Sequence, residues 1–131
     1  MKVVSTAACA LVLVAALVWA AAAGARRAAT TVSVTAGKPS EFSFTLSKKS
    51  VPKGAVTFKV TNNGAIPHTF KICSSSKGGT ANACKGKGTA LIAPGSSATL
   101  STTFASAGSY EYLCTVPGHA AGGMKGDLKV T

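Results

Sequence analysis

The chain has 131 residues, with 14 Lys+Arg against 3 Asp+Glu and a formal net charge of +11, which allows one modest domain. A paired-carboxylate hydrolase or a calcium site rich in acids would have to use Glu41, Glu111 and Asp127 and nothing else. Charge of nearly one sign points instead to an anionic partner: nucleic acid, anionic lipid or an acidic protein.

The first element is a leader. Residues 3–25 contain 20 apolar residues out of 23, preceded by Lys2 and ending in Ala21, Ala22, Ala23 and Ala25. This is the pattern of a secretory signal with a small-residue cleavage site. The run is also long enough to span a bilayer uncleaved, and Arg26 and Arg27 beyond it do not help retain that side in the cytoplasm. Either way the remainder is expected in the periplasm or at an extracytoplasmic surface. Residues 26–31 read as a short tether and 32–131 as the domain. Without the leader, 106 residues remain, 40 of them apolar, and the charge is 13 basic minus 3 acidic, or +10.

Helical periodicity is nearly absent after residue 26, and period-two alternation replaces it. A first strand is expected at 31–36. Phe42, Phe44 and Leu46 would share one strand face, as would Val56, Phe58 and Val60 before the turn signal Asn62-Asn63-Gly64. His68, Phe70 and Ile72 share a parity, with Thr69 and Lys71 opposite. The stretch 74–88, rich in Ser, Gly and Lys, reads as a long loop. Further strands are expected at 89–93, 97–104, 109–114 and 126–131, punctuated by Pro94-Gly95 and Ala107-Gly108. Seven or eight short strands without internal repeat predict an all-β, Greek-key β-sandwich.

Of the four cysteines, Cys9 lies in the leader and lacks a lipobox before it. Three remain, so at least one is unpaired or bound to something. Cys73 and Cys84 bracket the Ser/Gly-rich loop and can close it as a disulfide, worth on the order of 3 kcal/mol by loop entropy. Alternatively the same two cysteines are metal ligands, although eleven residues apart is not a CxxC clip. If they pair, Cys114 is the odd thiol.

The C-terminal segment carries the chemistry. Cys114, His119 and Met124 stand five residues apart on a loop between two strands, and His68 is the only other histidine. Pro117-Gly118 and Gly122-Gly123 supply the turns that return His119 and Met124 towards the Cys114 sulfur. A thiolate, two imidazoles and a thioether form a ligand set for copper, matching a trigonal His₂Cys plane with a long axial Met.

This loop, together with residues 62–70, closely resembles the cupredoxin (type 1 blue copper) family over roughly residues 30–131. The C-x4-H-x4-M spacing is similar to a rusticyanin-type loop. The resemblance implies one copper, with His68, Cys114 and His119 equatorial and Met124 axial. It also implies an electron exit at His119 ringed by Pro117, Gly118, Ala120 and Ala121. Many cupredoxins place Asn after the first His to brace the two ligand segments; Thr69 stands there, and its hydroxyl can hydrogen-bond across.

Other readings explain less. A Cys–His nucleophile and base needs an orienting third group and leaves Met124 without a role. A zinc-bound interaction module can use Cys114, His68 and His119 but not Met124. Multicopper enzymes need further histidines, and the absence of CxxCH excludes covalent haem. The lysines are either a solubilising coat or a docking surface for an acidic redox partner or an anionic envelope surface. Nucleic-acid binding does not suit an exported chain whose Phe42, Phe44, Phe58, Phe70 and Phe104 are expected mostly on buried strand faces. The expectation is therefore a monomeric, non-enzymatic carrier of single electrons, with extracytoplasmic copper buffering as the alternative.

Overall fold

A computed structural model describes residues 27–74 and 85–131. Nine strands fall within them: β1 (Thr30–Ala36), β2 (Phe44–Leu46), β3 (Ser50–Val51), β4 (Gly54–Asn62), β5 (Lys71–Cys73), β6 (Gly86–Gly88), β7 (Ser97–Phe104), β8 (Gly108–Leu113) and β9 (Lys125–Val130). They form two sheets, ordered β2-β1-β4-β7 and β3-β9-β8-β5-β6, and no helix occurs among the described residues. This is the expected all-β sandwich.

Period-two alternation builds it. In β1, Val32 and Val34 are buried while Thr31 and Ser33 are exposed, and in β4 Val56, Phe58 and Val60 repeat that pattern. The two strands run parallel with Val32 opposite Phe58 and Val34 opposite Val60, so one face of the first sheet is apolar. The second sheet answers with Ile72, Tyr110, Tyr112, Leu128 and Val130. Slipping any of these strands by one residue would turn its apolar set to solvent, which fixes the register. Aromatic rings fill the centre: Phe70 lies 5.2 Å from Phe58, 5.3 Å from Phe44 and 5.7 Å from Tyr112, centroid to centroid, distances at which ring edges and faces attract.

Four expectations need correction. Phe42 does not share a strand with Phe44 and Leu46; β2 starts at Phe44 and Phe42 is 40% exposed in the preceding turn. Residues 89–93 form no strand, because Ile92 alone pairs, in an isolated bridge with His68. Conversely, β6 lies inside the expected loop 74–88, its Gly-Lys-Gly recruited by pairing with β5 rather than by any apolar pattern. The two-residue β3 exists through its parallel pairing with β9. These short strands raise the count above the expected seven or eight. The leader 1–25, Arg26 and Cys84 lie outside the described residues.

The strand directions gather three connections, β1–β2, β4–β5 and β8–β9, at one end of the sandwich. β1 and β4 end there, β5 and β9 begin there, and β8 ends there with Leu113. Glu41, His68, Cys114, His119 and Met124 all belong to these connections. Phe58 is fully buried between the sheets, and Phe58→Ala should cost about 3–5 kcal/mol, measured as a lowered urea midpoint of the metal-free protein.

Candidate metal centre

Three donors meet at this end. His68 Nδ1 lies 3.2 Å from His119 Nδ1, and Cys114 Sγ lies 3.5 Å from the same nitrogen. One ligand atom from each residue falls within 4.8 Å of the others, and all three residues are buried. Met124, also fully buried, shares a small apolar cluster with Cys114 and Ala36. Thus all four residues singled out in the sequence come together.

Local sequence explains how each arrives. His68 is held by its bridge to Ile92, with both backbone N–H groups donating, at 3.1 and 2.7 Å. Cys114 follows β8 directly. The loop after it winds tightly: His119 N–H donates to Val116 O, Gly122 N–H to Gly118 O, Gly123 N–H to Ala120 O and Met124 N–H to His119 O. Gly118 and Gly123 have φ of +82° and +110°, values that residues with a Cβ rarely adopt. Cys114 N–H then donates to Met124 O at 3.0 Å, closing the loop on itself.

Thr69 supplies the expected brace. Its backbone N–H donates to Cys114 Sγ at 3.4 Å, and its hydroxyl accepts the Thr115 N–H at 2.8 Å while also meeting the Thr115 hydroxyl at 2.8 Å. A donor aimed at the sulfur holds it in place facing the two imidazoles.

Two neighbours escaped the sequence reading. Glu41 accepts a hydrogen bond from His68 Nε2 at 2.8 Å and from the Ala65 and Ile66 backbone N–H groups. The Ala65 N–H leads in holding its carboxyl below the usual range, with help from His68 and Ile66 and against partial desolvation. Phe42 stacks at a tilt on His119, 4.8 Å between centroids. Neither residue stands in a motif, and only folding brings position 41 to position 68. Burial, reinforced by His68, pushes the His119 imidazole below its ordinary value against a smaller opposing pull from Glu41; the neutral ring this favours is the metal-binding form.

The surrounding surface differs in one respect from the expected exit patch. His119 retains 7% exposure, and Pro117, Gly118 and Ala121 are exposed beside it. Ala120 is fully buried against Cys73 and Leu113 and is not part of that surface; its place is taken by Phe42.

Residues 30–131 match the family described as copper binding proteins, plastocyanin/azurin family. The chain belongs to this family. Structural similarity agrees. Auracyanin from the photosynthetic bacterium Roseiflexus castenholzii shares 26% identity at a TM-score of 0.62, covering 80% of this chain and 99% of that one. Auracyanin A, a "blue" copper protein from Chloroflexus aurantiacus, shares 26% at 0.55, with 78% and 98% covered. Rusticyanin from Thiobacillus ferrooxidans shares 28% at 0.59, with 77% and 76% covered. None of the curated proteins matches closely enough to count as a relative. The cupredoxin's donor set fits the family's metal: one soft sulfur of cysteine, two imidazoles and a thioether, all buried, suit copper better than a hard cation.

Thr69→Val removes the hydroxyl but keeps the shape. The metal-free cupredoxin should lose about 1–3 kcal/mol, since the Thr115 N–H and hydroxyl both lose their partner, with Thr69→Ser restoring most of it; urea unfolding of the three proteins measures the difference.

Proposed function

We propose that this cupredoxin carries single electrons between extracytoplasmic redox partners, holding one copper in a type 1 site. The observation that carries the reading is the buried convergence of His68 Nδ1, Cys114 Sγ and His119 Nδ1 beside Met124. His68, Cys114, His119 and Met124 would hold the copper between them. Copper supplies the one-electron couple between Cu(I) and Cu(II).

The protein's own residues do the rest. Donors drawn from the loop after β8 and from the chain before β5 keep their positions because the sandwich and the Thr69 brace fix them. Little rearrangement then accompanies a change of charge at the site. Burial of all four donors keeps water out and leaves the ring edge of His119 as the shortest way to the surface, past Phe42, Pro117, Gly118 and Ala121.

Docking follows from charge. Among the described residues, the one ion pair is that of His68 with Glu41, so the lysines remain free to steer an acidic redox partner to a monomeric carrier. Such steering speeds encounter more than it tightens the complex. Export rests on the leader 1–25. β1 begins at Thr30, at the end of the sandwich away from the donors. In the same reading Cys73 and Cys84 form a disulfide across the loop between β5 and β6, favoured by the register that sets Gly86 opposite Cys73.

Adding Cu(II) should produce an intense visible thiolate-to-copper band that bleaches on reduction and returns on oxidation, and Cys114→Ser should abolish it; a colourless, redox-silent wild type would sink the reading. Ala121→Trp should slow electron exchange with an acidic redox protein while leaving the band in place. Exchange that is absent even for the wild type, with a normal blue band, would identify a copper buffer instead.

A further inference from the structure

The chain has three acids, and one of them is spent on the back of His68. Glu111 and Asp127 face each other across β8 and β9. Glu41 instead sits between β1 and β2, with Oε1 2.8 Å from His68 Nε2. It is aimed there by the backbone: Ala65 N–H donates to both carboxylate oxygens, at 3.1 and 2.9 Å, and Ile66 N–H donates to Oε1 at 3.3 Å. Among the described residues no lysine or arginine pairs with it, despite their excess. The negative charge is therefore directed at one imidazole and not neutralised at the surface.

Packing holds the pair in register. A Cβ at Gly64 would collide with Glu41 Oε1 and come within 2.9 Å of His68 Nε2. The bare backbone at Gly64 thus lies directly on the carboxylate–imidazole contact. Gly64 is held in turn by its N–H donating to Asn62 Oδ1 at 2.9 Å.

We propose that Glu41 is a positioning residue of the copper site, fixing the His68 ring through Nε2 and setting the site's preference for Cu(II) over Cu(I). The inference rests on His68 being a ligand, as in the function proposed above. A carboxylate accepting Nε2–H confines the proton to that nitrogen and leaves Nδ1 with its lone pair facing Cys114 and His119. A fixed negative charge stabilises the more positive metal state, so Glu41 lowers the reduction potential. A neutral acceptor in its place would provide the orientation without the charge.

The test separates these two contributions. Glu41→Gln keeps an oxygen for Nε2–H and removes the charge; Glu41→Ala removes both; Gly64→Ala keeps the charge and dislodges the contact. In copper-loaded protein at fixed pH, Glu41→Gln should retain the blue band. Its ratio of Cu(II) to Cu(I) affinity should fall about tenfold, at the low end for a ligand's outer partner because Glu41 remains one-third exposed. For a one-electron couple that is a rise of about 59 mV. In metal-free protein in mildly alkaline buffer, nitrogen-15 spectra should show His68 protonated at Nε2 in the wild type and Glu41→Gln, and a mixture of tautomers in Glu41→Ala and Gly64→Ala. A blue wild type whose potential is unmoved in Glu41→Gln overturns the tuning role and leaves electron carriage standing. An unchanged His68 tautomer in Glu41→Ala overturns the positioning role whether or not copper binds. A wild type that never turns blue overturns the functional reading itself.

Discussion

Thr69 gives its backbone N–H to the sulfur of Cys114 and receives the N–H of Thr115 on its hydroxyl. The chain that carries His68 and the loop that carries the other three donors are thereby fastened at a single residue. The fastening works because β5 and β8 are neighbours, with Lys71 opposite Leu113 and Ile72 opposite Tyr112. Extending that register past the last pair brings position 69 to position 115. A sandwich with the same core but another order in the second sheet would separate His68 from Cys114, and no loop adjustment would reunite them.

Behind the donors stands a second anchored layer. Asn62 is fully buried, its amide donating to Ile66 O at 2.8 Å and Ile92 O at 2.9 Å while its oxygen accepts Gly64 N–H. Buried amides that satisfy several backbone groups at once specify one loop conformation. Here that conformation presents the Ala65 and Ile66 N–H groups to Glu41 and lets the chain re-enter the sandwich at His68. The low acid content of the protein thus has a use: one carboxylate is placed where its charge reaches the site, and the remaining surface is left basic.

The long strands were legible because their pattern is local. β1, β4 and β7 alternate over seven to nine residues, and period two cannot bury both faces of such a segment. β3 and β6 were not legible, since a two-residue strand and a Gly-Lys-Gly strand owe their pairing to neighbours far along the chain. The expected strand at 89–93 failed for the related reason that apolar content without a partner makes only a bridge. Phe42 kept the parity of Phe44 in sequence, yet the turn before β2 swung it onto His119 instead of into the core.

For the site, rarity and spacing by themselves singled out the four residues that meet in the fold. Two histidines, one non-initiator methionine and one thiol just past a β-strand leave few other ways to build a soft metal centre, and the glycines between them mark the turns. What surrounds the donors was decided only by tertiary structure. Glu41 lies 27 positions from His68, and nothing in its neighbours along the chain distinguishes it from a solvated surface acid. The burial of Ala120 likewise depends on Cys73 and Leu113 packing over it. Ligand identity is written in side-chain chemistry and can be read in one dimension. The charge, access and orientation that tune a ligand come from whichever residues the sheet order makes adjacent, and adjacency in space is a property of the folded chain.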